Sequence, residues 1–148
     1  QAKSYKGNKD KSDIEETLVT QLTYPLDDQV RQPMPAGGLF STAADVARFG
    51  QMVLRGGEWN GKRILSESAV KAMTSRQTPE SLKEGYGFGF SVNGTLFGHG
   101  GAYSTNLSID PQKGLVLVFM VQNAGWRSDE GKKILPTFTA AALAAFGN

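Results

Sequence analysis

One histidine stands in this chain, His99, and three glycines crowd it in the run Leu96-Phe97-Gly98-His99-Gly100-Gly101-Ala102-Tyr103. Histidine is the side chain whose unperturbed charge change falls near neutral pH. Glycines, lacking a Cβ, let the main chain come close to a ligand. Those residue types together suit proton handling or polar recognition at the end of a strand. A histidine among glycines also serves as plain packing, so both readings stand until the rest of the chain is weighed.

Two further strings weigh on the choice. Upstream, Pro35-Ala36-Gly37-Gly38-Leu39-Phe40-Ser41-Thr42-Ala43-Ala44-Asp45 reads as a tight loop entering a helix. Downstream, Asn106 to Met120 reads as a hairpin. In this order, and with the His-Gly-Gly run between them, the strings resemble the C-terminal part of the serine β-lactamase and penicillin-binding-protein superfamily. The nearest branch is the class C-like one, with its esterases and D-alanyl peptidases. The resemblance runs from about Pro35 to Asn123.

That family works with Ser-x-x-Lys, Tyr-x-Asn or Ser-x-Asn, and Lys-Thr-Gly, the last often His-x-Gly in this branch. By the resemblance, His99 takes the lysine position, Gly100 the threonine and Gly101 the glycine. Ala102 follows, where a backbone N–H helps form the oxyanion hole. His99, Gly100, Gly101 and Ala102 are therefore the expected catalytic set. The resemblance implies a serine hydrolase acting on acyl bonds, whether a β-lactam, a D-alanyl peptide or a small ester, and it favours a periplasmic or secreted setting. It implies no metal or organic cofactor. A small acyl substrate is the expected ligand.

The other two motifs are not plainly present. No Tyr-x-Asn occurs in the chain, and the one Ser-x-x-Lys, Ser68-Ala69-Val70-Lys71, follows the Gly-Gly loop instead of preceding it. Ser68 and Lys71 would share one helix face, with Ser68 in the first turn where N–H groups favour negative charge. A chance match in a short motif, on a helix start capped by Ser66, explains the pair without catalysis and is the favoured reading. Ser91-Val92-Asn93 and Ser104-Thr105-Asn106 match Ser-x-Asn by spacing and read as strand and turn residues. The nucleophile is thus expected upstream of Gln1, on a segment of the same protein that becomes the first partner of this chain. The start at Gln1 in place of Met agrees with a piece of something longer. The competing class is a non-catalytic binding or interaction module derived from the same fold, in which both glycine strings serve packing alone.

Composition narrows the field further. A length of 148 residues suits one domain, and such a chain can bury roughly 68–70% of its unfolded surface. The net charge of +2 makes no case for nucleic-acid or membrane partners. Zero cysteines exclude disulfides and thiolate metal sites, and a single histidine argues against a histidine-built one.

The elements that must position the site follow from local chemistry. Residues 1–34 are polar, with Lys3, Lys6, Lys9 and Lys11 spaced among polar neighbours, and read as a solvated arm or connection. Residues 35–148 read as the C-terminal part of a β-lactamase-like domain. Thr42 caps a helix running to Leu54, with Asp45 three positions on; Val46, Phe49 and Val53 form its buried stripe, and Arg55-Gly56-Gly57 ends it. Ser66 caps a second helix running to Thr74. Alternation from Tyr86 to Val92 predicts one half-buried strand, and Asn93-Gly94 a two-residue turn pairing Val92 with Thr95, Phe90 with Phe97 and Phe88 with His99. The apolar strand Leu115–Val121 needs cover on both faces. A last helix is expected to start near Pro136. The fold class is α+β, a mainly antiparallel sheet of three to four strands flanked by helices. Helices supplying only one face would leave an apolar patch on the sheet or on the Thr42–Leu54 helix, and with it self-association or docking of the upstream segment.

Overall fold

Helix α1 (Ala43–Leu54) begins where its cap chemistry places it. The Thr42 hydroxyl accepts from the Asp45 N–H at 3.1 Å and donates to the Asp45 carboxylate at 2.8 Å. That donation, followed by hydrogen bonding from Arg48, holds the Asp45 carboxyl below the usual carboxylate range. The helix ends in a Schellman arrangement: Gly57 N–H reaches Met52 O at 2.9 Å and Gly56 N–H reaches Val53 O at 3.0 Å. Both glycines have positive φ, 65° and 97°. Thr42→Ala is expected to cost about 1 kcal/mol in a denaturant titration at neutral pH. Because the Asp45 carboxyl is depressed in the folded state, its stabilisation is present above the ordinary carboxylate pKa and lost as pH falls through the lowered value. Asp45→Asn should therefore flatten the acid limb of the stability profile.

The coordinates are a computed structural model describing residues 2–8, 13–19, 27, 29–30, 34, 37, 39–125 and 129–147. The strands are β1 (Ser4–Gly7), β2 (Ile14–Thr17), β3 (Glu58–Trp59), β4 (Lys62–Arg63), β5 (Gly85–Tyr86), β6 (Ser91–Asn93), β7 (Leu96–Gly100), β8 (Asn106–Asp110) and β9 (Leu115–Phe119). Helices α2 (Glu67–Thr74) and α3 (Asp129–Phe146) complete the fold. The main sheet is an antiparallel meander in the order β5-β6-β7-β8-β9. The class is α+β, as the sequence implies, but this sheet has five strands where three to four were expected.

The fifth strand comes from a break. The expected continuous strand Tyr86–Val92 is two strands, β5 and β6, joined by a loop closed by Gly87 N–H to Phe90 O at 2.8 Å. Gly89 takes φ 89° in that loop. Gly87 lies so close to α2 that an added Cβ would sit 2.1 Å from Met73 O. The next turn also differs by one residue: Asn93 pairs with Leu96 and Val92 with Phe97, so Gly94-Thr95 forms the two-residue loop. Each partner moves by two residues, which preserves the faces. Phe97 still meets Phe90 ring to ring at 5.4 Å.

The core lies between α1, α2 and one face of the sheet, with Met52, Val53, Val70, Phe90, Phe97 and Ile109 buried. The buried face of α1 is rotated from the expected Val46–Phe49–Val53 stripe. Gly50 is its closest approach to the sheet, where a Cβ would lie 2.6 Å from Val116 Cγ1. Phe49 is pushed outward, 42% exposed, although its ring still stacks on Phe90 at 6.4 Å.

Both faces of β9 are covered within the chain. Val116 faces Gly50 of α1, whereas Phe119, on the other face by alternation, meets Phe138 of α3 at 5.3 Å. A helix thus lies against each face of this strand, and all five of its residues are half-buried. The open face is that of β6 to β8, where Ser91, Gly98 and Ser108 lie in register and Leu96 is exposed beside them. Helix α3 starts at Asp129, earlier than the expected Pro136, which it holds in its interior. Lys113 Nζ donates to Gly147 O at 2.6 Å, tying the helix end to the β8–β9 turn.

Residues read as a solvated arm contain a hairpin. β1 pairs with β2 in antiparallel register from Ser4↔Thr17 to Gly7↔Ile14. Tyr5 N–H donates to Gln122 O at 2.9 Å and Ala124 N–H to Tyr5 O at 2.7 Å, so β1 docks beside the segment following β9. The cross-strand pairs Lys3–Glu16 and Lys6–Glu15 are exposed and contribute little. Lys9 and Lys11 lie outside the described residues.

Candidate active site

β7 carries His99 to the end of the sheet. Its register partner on β8 is Leu107, and Gly100 pairs with Asn106 where the strand ends. Gly98 makes this approach sterically feasible, because a Cβ there would stand 2.1 Å from Leu107 O. The His99 side chain is exposed. Its Nδ1 contacts Gly100 O; a carbonyl only accepts, so this contact is a hydrogen bond in the forms of the ring that carry a proton on Nδ1. Tyr86 of β5 meets the imidazole edge-on, with ring centroids 5.7 Å apart and planes at 88°. His99 is thus a histidine at the sheet's end and not a core one.

Beyond Gly100 the chain makes a tight turn. Gly101 N–H donates to Thr105 O at 2.8 Å and Ser104 N–H to Gly101 O at 3.0 Å. Ala102 stands at the tip, exposed, and among the described residues its N–H meets no acceptor. An exposed, unpaired amide beside an exposed imidazole is an arrangement able to receive a developing oxyanion. The glycines differ in what they do. A Cβ on Gly101 would stand 2.1 Å from Thr105 Oγ1, whereas at Gly100 the nearest atoms lie 3.9 Å away. Nothing within the chain therefore demands glycine at position 100.

A broad groove opens beside this run, lined by Arg76, Lys83, Ser91, Gly98, His99 and Asn106 among others. Arg76 shapes one bank, its guanidinium donating to Thr78 O at 3.0 Å, Pro79 O at 2.8 Å and Leu82 O at 2.6 Å.

The remaining candidates do not join the site. The Ser68 hydroxyl pairs with Ser66 Oγ at 3.0 Å, beside the Ser66 cap that accepts from Ala69 N–H. No bond links Ser68 to Lys71 among the described residues, so the pair is accounted for by helix capping. Asp45 is a cap partner. Of the Gly-Gly loop, Pro35, Ala36 and Gly38 lie outside the described residues, while Gly37 N–H donates to Met34 O at 3.1 Å. Ser91 and Asn93 are strand residues of β6, and Asn106 opens β8. Ser104 holds φ 63° in the site turn, a conformation that nothing in the Ser-Thr-Asn string announces. Among the described residues no group of three or more His, Asp or Glu side chains could hold a metal, and no helix is long and apolar enough to cross a membrane.

Comparisons with known proteins bear on the family and the fold. Protein Rv1367c of Mycobacterium tuberculosis strain H37Rv is 34% identical over 113 residues, covering 59% of this chain and 28% of that protein. The uncharacterized protein MT1414 of strain CDC 1551 matches to the same extent. Among solved structures, a Bacillus anthracis protein named as a 6-aminohexanoate-dimer hydrolase matches at TM-score 0.56 and 29% identity, over 71% of this chain and 29% of its own. The chain thus spans under a third of the length of the relatives it matches. The Beta-lactamase family model matches residues 2–141, and with the α+β fold and the site turn of β7 in place, the chain belongs to that family of β-lactamase-like hydrolases.

Proposed function

We propose that this chain forms the C-terminal part of a serine hydrolase that cleaves acyl bonds, in a β-lactam, a D-alanyl peptide or a small ester, through an acyl-enzyme. The observation that carries the reading is the Ala102 N–H, which meets no acceptor among the described residues, at the tip of the ordered turn that follows His99. A serine on an upstream segment of the protein attacks the acyl carbonyl and passes its proton to a neighbouring base. The carbonyl oxygen takes the negative charge and accepts from the Ala102 N–H. Collapse expels the leaving group with a proton, and water then releases the acid and frees the serine. His99 orients the substrate end of the cleft. With Nδ1 turned to Gly100 O, Nε2 is the ring nitrogen left to meet the substrate.

The experiment is turnover of a nitrophenyl ester and a chromogenic cephalosporin by the full-length protein, with and without His99→Ala. The wild type should turn over at least one of them and His99→Ala should lower the rate. Stability should move by no more than about 0.5 kcal/mol, as for a surface substitution. Absence of an acyl adduct on any serine of the full-length protein would instead favour a non-catalytic module.

A further inference from the structure

The turn that presents Ala102 is held from two sides. From its own ends, Gly101 N–H meets Thr105 O and Ser104 N–H meets Gly101 O. From behind, the strip following β9 grips it: Asn123 N–H donates to Tyr103 O at 3.1 Å, and the Ser104 hydroxyl donates to Asn123 O at 3.0 Å. The same strip is bonded on its other edge to Tyr5 of β1. Among these contacts only that of Ser104 is made by a side chain.

Ser104 also holds φ 63°, a left-handed backbone that serine adopts only against steric resistance. Glycine would take this conformation freely. A strained serine in this turn, with its hydroxyl spent on a partly buried main-chain carbonyl, is accounted for if the hydroxyl does something glycine cannot. The hydroxyl is directed at Asn123, so it acts on the turn and not on a substrate. The Asn123 side chain is not the agent: both of its bonds to the turn are main-chain, and among the described residues its buried Oδ1 has no partner.

We propose that Ser104 is a positioning residue for the Ala102 N–H, its hydroxyl pinning the turn to Asn123 so that the amide is held ready for the oxyanion. The proposal rests on the hydrolase reading above, and its test separates the two. Ser104→Gly removes the pin and the strain together, whereas Ser104→Ala removes the pin and keeps the strain. In the full-length protein, Ser104→Gly should lower kcat roughly tenfold with little change in KM, since misplaced catalytic groups cost rate more than binding. Its unfolding midpoint should hold or rise. Ser104→Ala should lose both rate and midpoint. A residue that merely stabilised the fold would not show the Gly variant's loss of rate at undiminished stability.

On the present chain, hydrogen exchange at the Gly101, Ser104 and Asn123 amides should quicken in Ser104→Gly. Wild-type kcat in that variant, or unchanged exchange at all three amides, overturns the proposal. An inactive wild-type protein would count against the hydrolase reading alone, and the exchange measurement would still decide the role of Ser104.

Discussion

Ile109→Ala should be the most damaging single truncation in the sheet, costing about 2–5 kcal/mol. Ile109 sits on β8 with 0% exposure, paired with Phe97 on one side and Val116 on the other. Its Cδ1 is also close to Gly50, the point where α1 touches the sheet. The truncation therefore opens a cavity where three elements meet and none can close it by a side-chain rotation. Domains of this size are stable by only about 5–15 kcal/mol, so a loss of this size takes a large share of the margin. A denaturant titration should show a lowered midpoint with an unchanged slope, and melting should fall by roughly 10 °C. Ile64→Ala, at a position 58% exposed, is the contrast and should stay within about 0.5 kcal/mol. Equal losses at both positions would mean that the core has been misplaced.

Ala102→Pro should abolish most of the activity of the full-length protein while leaving it folded. Proline removes one thing that matters at the turn, the N–H, and among the described residues that N–H supports no hydrogen bond of the fold. The residue before it is Gly101, which has no Cβ to clash with the proline ring. Losing one oxyanion donor costs about 10²–10³ in kcat in comparable enzymes, near 3–4 kcal/mol of transition-state stabilisation. KM should change far less, since the interaction forms with the developing charge. Wild-type kcat in a folded Ala102→Pro protein would remove Ala102 from the mechanism.

What was legible in the chain was legible for local reasons. Thr42 and Ser66 mark helix starts because their hydroxyls meet N–H groups three residues on. Gly56-Gly57 marks a stop because both take positive φ. Asp110 announces the β8–β9 turn, its carboxylate accepting from the Gln112 and Lys113 N–H groups. The His99–Ala102 run stood out by residue type, and the structure puts it at the exposed end of β7 and in the turn that follows.

The misses are all long-range. Alternation from Tyr86 to Val92 is identical for one strand and for two short ones, and the break is decided by how close Gly87 lies to Met73 O on α2. The rotation of α1 is decided by Gly50, a residue that amphipathic patterning does not count as part of a buried face. Pro136 read as a first-turn residue because proline lacks the N–H needed deeper in a helix, yet the helix carries it. Polar composition hid β1, whose docking is made by main-chain bonds of Tyr5 that no side-chain pattern reports. Ser104 was hidden for the same reason, its role being set by Asn123 nineteen residues away.

The central claim is that this chain supplies the oxyanion edge of an acyl-enzyme hydrolase while the nucleophile comes from elsewhere in the protein. It is tested most directly by one paired measurement: ester and cephalosporin turnover, followed by intact-protein and peptide mass spectrometry, on this chain alone and on the full-length protein. The chain alone should show no turnover above background and no acyl adduct. The full-length protein should turn over substrate and carry a single adduct on a serine outside residues 1–148. An adduct on Ser68 in the chain alone would contradict the account and make the Ser68–Lys71 pair the catalytic centre.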